Sequence, residues 1–303
     1  MSGTAKPAPD EHSPMSDPAL RFQPVAFAQN LVVRGLIGFA LLLPYRVRVP
    51  LLGMMMRYVI GPVAGYRRRA LINLAMIWPD LTTDQRAKIA GQALDNAGRT
   101  LIENYSTEEF IARQSSIVPT GAGVAALDLA MQAGRPVILV SGHFGNYEAA
   151  RACLVARGAR IGGLYRPMAN PYFNAHYVQT MQAFGGPIFA TGRAGTAGFV
   201  RHLKSGGLLV LLFDQSAAGE AIDFLGKPAQ TALSAAELAL RYSADLIPFY
   251  GVRQPDGISF AVELEAAIAQ TTALEMTKAL TRSLENRVHS HPGQWFWIHR
   301  RWK

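Results

Sequence analysis

What this sequence lacks narrows it quickly. Its one cysteine, Cys153, can close no disulfide within the chain and argues against a thiolate metal site. A small core residue on a helix is the ordinary reading of that thiol, and it suits a reducing compartment. There is no Gly-x-Ser-x-Gly elbow, because Ser141 precedes Gly142-His143 instead. Neither a Walker loop nor a Gly-x-Gly-x-x-Gly fingerprint follows a strand. No tight His-x3-His pair exists, so no metal or other cofactor is expected, although His143, His176 and Asp214 are of ligand type. No internal repeat is visible. Acidic residues are scarce, at 21 Asp and Glu against 30 Lys and Arg, for a formal net charge of +9. Such a chain is drawn to nucleic acid, anionic lipid or an acidic protein. It carries no DNA- or RNA-module signature, so nucleic acid is not an expected partner.

Half of the 303 residues are hydrophobic, enough for one large α/β core and some apolar surface besides. The chain divides into three stretches. Residues 1–24 are rich in Pro, Ser, Asp and Ala, have no apolar h-region, and read as a disordered tail. Residues 25–66 read as a membrane-associating hydrophobic segment. The uncharged run at 35–45 is closed by Arg34 and Arg46 after eleven residues, short of the roughly 20 a spanning helix needs. It can lie in the interface, dip into it, or span if Arg34 snorkels. A buried hairpin of a soluble protein is the competing reading. Arg46, Arg48, Arg57 and Arg67-Arg68-Arg69 border or interrupt this apolar part, which suits a membrane surface better than a nucleic-acid groove. Residues 67–303 form the third stretch.

Within it, Thr82 and Gln85 stand at capping-box spacing and start a helix with apolar residues at helical period. From Arg135 onward strands and helices alternate. Strands are expected at 136–140, 161–165, 188–190, 208–213, 246–252 and 258–265, with helices between and a long final helix at 271–289. This alternation predicts a mixed, mostly parallel sheet covered by helices. Ligands of such sheets sit at the carboxyl ends of the strands.

The most informative stretch, residues 140–148, follows a buried strand and opens a helix. It places His143 in a turn at that carboxyl edge. Gly142 and Gly145 permit close approaches there. Asn146 is a fitting N-cap, and Glu148 falls in the first helical turn, where the dipole favours an acid. A carboxylate beside an imidazole fixes its tautomer and raises its basicity. His143 with Glu148 is therefore the candidate base pair, worth roughly 10²–10⁴-fold in such chemistry. A structural histidine is the alternative. Arg166 and Asp214 also end strands. Arg166 offers a fork for a phosphate or a partner for Asp214, and Asp214 could orient Arg166 or an acceptor sugar.

His143 and Glu148 resemble the His-x4-acid motif of the glycerolipid-type acyltransferases. The string Gly-His-Phe-Gly-Asn-Tyr-Glu is similar to the late acyltransferases of lipid A biosynthesis, the lauroyl and myristoyl transferases. Residues 163–166 and 213–215 resemble that family's second and third blocks, 224–229 the loop that follows and 247–249 the fourth block, in order, and 294–303 its aromatic, basic terminus. The likeness covers roughly 25–303.

It implies direct transfer of a fatty acyl group from a thioester, on acyl carrier protein or CoA, to a glycolipid hydroxyl. His143 would be the base, with Glu148 beside it and no covalent intermediate. A backbone amide of the 142–145 turn is a candidate oxyanion donor. Arg166, Asp214, Asn146, Gly145 and Arg300 are the expected substrate-binding residues. Trp295, Trp297 and Trp302 suggest an interfacial belt around His299, Arg300 and Arg301. The resemblance places the enzyme on the cytoplasmic face of a bacterial inner membrane, with a lipid A precursor as acceptor. Another glycolipid or a lysophospholipid is the alternative acceptor, because residues 215–220 are less basic than a bisphosphorylated sugar would call for. A non-catalytic membrane protein of the same fold and a hydrolase are the remaining readings.

Overall fold

Hydrophobic period sets the order of elements, and strand register then sets the site. The computed structural model describes residues 22–302, so nearly all of the expected tail lies outside the described residues. The amino-terminal part is helical: α1 (Pro24–Leu41), α2 (Tyr45–Met55), a π-helical turn (Met56–Ile60) and α3 (Gly61–Val63). There follow α4 (Tyr66–Ile77), α5 (Thr83–Tyr105), α6 (Thr107–Gln114) and α7 (Gly123–Gln132). The alternating part comprises β1 (Val137–Ser141), α8 (Tyr147–Ala156), β2 (Ile161–Tyr165), α9 (Pro171–Gln182), β3 (Ile188–Ala190), α10 (Arg193–Lys204) and β4 (Leu208–Leu212). The chain ends with β5 (Glu220–Phe224), β6 (Lys227–Thr231), α11 (Ser234–Tyr242), β7 (Asp245–Arg253), β8 (Phe260–Leu264), α12 (Ala273–Ser290) and a 3-10 turn (Pro292–Gln294).

Six strands form one sheet in the order β3-β2-β4-β1-β7-β8. All pair in parallel except β7 with β8. β1 is buried at every residue, as a central strand covered on both faces must be. On the edge strand β8, Phe260, Val262 and Leu264 are buried and alternate with half-buried residues. Apolar clusters fill both faces of the sheet, with Leu139, Phe249 and Leu154 in one and Ile138, Leu246 and Leu280 in another.

The expected membrane-associating segment is split by its packing. On α2, Tyr45 and Val49 are buried, against α5 and its neighbours. Arg48 is buried too, donating to Ser106 Oγ at 2.9 Å and to the Leu43 carbonyl at 2.8 Å. Arg48 thus braces the fold rather than facing lipid. α1 is largely exposed, with Leu36 66 % and Phe39 70 % accessible. It is long and apolar enough, by length and composition, to cross a membrane.

Residues 224–229, expected as a loop, form a tight antiparallel hairpin of β5 and β6 instead. Its two turn residues, Leu225 and Gly226, have φ of +52° and +78°. Positive angles at both positions belong to the hairpin turn whose twist matches its strands. Leu-Gly lacks the Asn or Asp that advertises such a turn.

Candidate active site

Strand register builds the central pair. β1 and β4 run parallel with Ser141 opposite Leu212, so residues two positions beyond each strand emerge side by side. These are His143 and Asp214. His143 Nδ1 lies 2.7 Å from Asp214 Oδ1, and the His143 amide donates to Asp214 Oδ2 at 2.8 Å. The Trp295 indole N–H donates to that same oxygen at 2.9 Å. Asp214 is 1 % exposed, whereas His143 is 26 % exposed. Burial by itself raises the Asp214 pKa, but the charge and hydrogen bonds of His143, with help from His299, hold the carboxyl well below the usual range. An ionised Asp214 accepts a hydrogen bond from the Nδ1–H of His143. The Nε2 lone pair is left free on the other side of the ring.

Glu148, expected beside the imidazole, is placed differently. It is buried on the first turn of α8 and accepts from Arg151 Nη1 at 3.1 Å. Burial raises its pKa while Arg151 pulls it down. The carboxylate that holds the His143 tautomer is Asp214, 71 residues away in sequence. Glu148 and His143 nevertheless share one cavity of about 340 Å³, together with Arg151, Arg166, Tyr177 and Gln215. Gln215 Nε2 is 3.4 Å from His143 Nε2. Arg166, one residue beyond β2, is exposed on the cavity rim.

The other expected contact residues fall outside that cavity. Asn146 caps α8 by accepting from the Glu148 amide at 3.0 Å, and its amide group donates to Glu103 at 2.9 Å. It is fully buried, so it supports the turn instead of meeting substrate. Gly145 has φ +55°, and a Cβ there would stand 2.0 Å from the Gly251 carbonyl. Only glycine fits that conformation and that contact. Its carbonyl accepts from Asn96 at 3.0 Å, so it too serves the turn. It also borders a smaller, mostly apolar chamber of about 210 Å³ on the far side of His143. Arg300 is exposed and lines neither space. Asp214 is buried against His143 and Trp295, and no hydrogen bond joins it to Arg166 among the described residues. The amides of His143, Phe144 and Gly145 are likewise committed, to Asp214 Oδ2, the Gly142 carbonyl and the Gln294 carbonyl. They are not free for an oxyanion.

The carboxyl-terminal segment is internal. Trp295 and Trp297 are fully buried, which corrects the interfacial-belt expectation. Indoles packed in a cluster with Phe224 and Trp302 leave no face for lipid. Arg301 is buried as well, donating to the Gln230 carbonyl and to Thr231 Oγ1, each at 2.6 Å. His299 packs edge-on to His143 with ring centroids 4.5 Å apart. Burial lowers its pKa to about 4 against the pull of Asp214, with His143 and Arg301 adding to the fall. Donor atoms of His143, Asp214 and His299 lie within 4.8 Å of one another. A metal there would have to break the His143–Asp214 and Trp295–Asp214 bonds. Within this set only His143 and Asp214 are hydrogen-bonded to one another, and His299 Nε2 is buried without a partner among the described residues.

Tyr177, Arg151 and Gln215 were not legible as cavity residues in the sequence. Gln215 follows Asp214 directly, but a cavity built from four strand ends has no local signature.

The chain resembles known proteins along most of its length. A family model described as "Bacterial lipid A biosynthesis acyltransferase" matches residues 18–303. The chain is 24 % identical over 276 residues to a lipid A biosynthesis acyltransferase of Haemophilus influenzae, covering 86 % of this chain and 84 % of that protein. It is 26 % identical over 255 residues to the lipid A biosynthesis lauroyltransferase of Escherichia coli, covering 78 % and 80 %. A phosphatidylinositol mannoside acyltransferase of Mycobacterium tuberculosis is 22 % identical over 185 residues, covering 59 % and 58 %.

Proposed function

Because the chain belongs to the bacterial lipid A biosynthesis acyltransferase family and is an acyltransferase, we propose that it moves a fatty acyl group from a thioester to a hydroxyl of a lipid A precursor, with His143 as general base. The observation that carries the reading is the His143–Asp214 pair at 2.7 Å on the wall of a cavity. Nε2 takes the proton of the acceptor hydroxyl as its oxygen attacks the thioester carbonyl carbon. The C–S bond breaks as the tetrahedral oxyanion collapses, and the departing thiolate takes the proton from His143. An ester and a free thiol result, with no covalent enzyme intermediate. Asp214 stabilises the imidazolium between these steps. Glu148 and Arg166 face the acceptor and its charged groups. Gln215 and Arg166 supply oxyanion donors in place of the committed amides of His143, Phe144 and Gly145. The donor is acyl carrier protein or CoA, and the chain's +9 net charge favours the acidic carrier. α1 anchors the enzyme at the cytoplasmic face of the inner membrane.

A second acceptor reading rests on the likeness to the mannoside acyltransferase and on residues 215–220, where no basic residue stands. In it the same site acylates another glycolipid. Lipid mass spectrometry of cells lacking this gene, restored with wild type or His143→Ala, tests both. Lipid A should lose one acyl chain that only wild type restores. A change confined to another lipid class would replace the acceptor. Restoration by His143→Ala would end the mechanism.

A further inference from the structure

Three arginines converge away from the catalytic cavity. Arg67 and Arg68 of α4 and Arg86 of α5 line a cleft of about 570 Å³ with Pro62, Leu71 and Ile72. No carboxylate lines it, although Asp80 and Asp84 are close in sequence. Among the described residues none of the three arginines forms an ion pair, and Arg86 makes only a 3.5 Å bond to the Pro79 carbonyl. Their neighbour Arg69 turns the other way, to the Ile298 carbonyl at 3.4 Å. Thr83, the first residue of α5, also lines the cleft and brings the positive end of a 23-residue helix to it. Unpaired guanidinium groups held together repel one another unless an anion joins them, and their planar forks fit phosphate.

The rim is apolar and open. Ile72 is 56 % exposed and Val63, next to Pro62, is 87 % exposed. Tyr58 and Val59 extend this bare surface along the preceding turn, at 66 % and 56 %. A free phosphate would gain nothing from that rim, whereas a lipid gains at both ends. We propose that this cleft binds the phosphate headgroup of an anionic membrane lipid, with the lipid chains lying along Ile72 and Val63. The inference rests on the membrane placement above but not on the chemistry at His143. It also bears on that site. The inner face of α4 holds the carboxyl-terminal segment, because Asn73 donates to the carbonyls of Trp297 and His299 at 2.8 and 2.9 Å. One helix thus meets the lipid on one side and the His299 segment on the other.

The test is the ratio of partition into phosphatidylcholine vesicles with and without phosphatidylglycerol, which cancels the contribution of α1. Wild type and His143→Ala should show the same ratio, so failure of the catalytic reading would not disturb it. Arg67→Gln/Arg68→Gln/Arg86→Gln should lower the ratio roughly 100-fold, at about fivefold per arginine. The control Arg193→Gln/Arg201→Gln/Lys204→Gln on α10 removes equal charge and should change it only a few-fold. Acyl transfer in detergent micelles, retained by both variants, checks their folding. Equal losses in the two variants would mean diffuse attraction and overturn the proposal. Abolition of wild-type selectivity by millimolar inorganic phosphate would reassign the cleft to a soluble anion. Unchanged selectivity with weakened use of an acyl carrier protein would reassign it to an acidic protein.

Discussion

His143 was legible from its own neighbourhood, because a strand, a glycine turn and a helix start surround it within a few residues. Its true carboxylate partner was not. Glu148 is near in sequence, but α8 carries it toward Arg151, whereas Asp214 arrives through the parallel register of β1 and β4. Sequence spacing cannot report which strands become neighbours. His299 gives a prediction at this scale. Its folded pKa is about 4, below the roughly 6.5 of an unfolded histidine. Between those values the unfolded chain binds the extra proton, so stability rises with pH across that window and is lost as pH falls through it. His299→Asn should remove on the order of 2 kcal/mol of the difference in unfolding free energy between neutral and acid pH. Denaturant titrations at both pH values measure it, and an undiminished difference would count against the buried neutral imidazole.

At the scale of elements, local chemistry was well written. The capping box expected at Thr82 and Gln85 is present, with bonds of 3.2 and 2.8 Å. Thr82→Ala should cost about 1 kcal/mol of stability and leave acyl transfer untouched, as thermal unfolding beside an activity assay would show. Gly145→Ala should be far more severe. It combines a left-handed backbone with a 2.0 Å approach to the Gly251 carbonyl, so a loss of roughly 2–5 kcal/mol is expected in the same unfolding assay. A fully stable Gly145→Ala would mean that the turn is built otherwise. The β5–β6 hairpin was missed because Leu225-Gly226 carries only half of the usual turn signal. The terminal tryptophans misled for another reason. An aromatic, basic terminus looks alike whether it faces lipid or fills a core, and only packing shows that Trp295 serves Asp214.

For the whole molecule, the parallel sheet was readable from alternation, and its carboxyl edge from the rule that ligands gather there. The division of the amino-terminal half was less so. Composition alone joined residues 25–66 into one segment, whereas α2 is stitched to α5 and α1 is largely exposed, joining the core cluster only at its carboxyl end through Ala40 and Leu41. Removing residues up to 38 should therefore weaken membrane association while the remainder, which keeps Ala40 in its cluster and the Leu43 carbonyl on Arg48, still folds, as fractionation and circular dichroism together would report. Retention of that shortened chain on membranes would shift the attachment to the surface around Val63 and Ile72. The central claim concerns the whole assembly of strand ends, and kinetics on purified protein reach it most directly. Transfer from an acyl thioester to a lipid A precursor should be compared for wild type and Asp214→Asn. The account predicts a fall in kcat of about 10²–10⁴-fold with little change in KM, because the imidazole loses its orienting charge but the cavity keeps its shape. Wild-type turnover by a folded Asp214→Asn protein would contradict it.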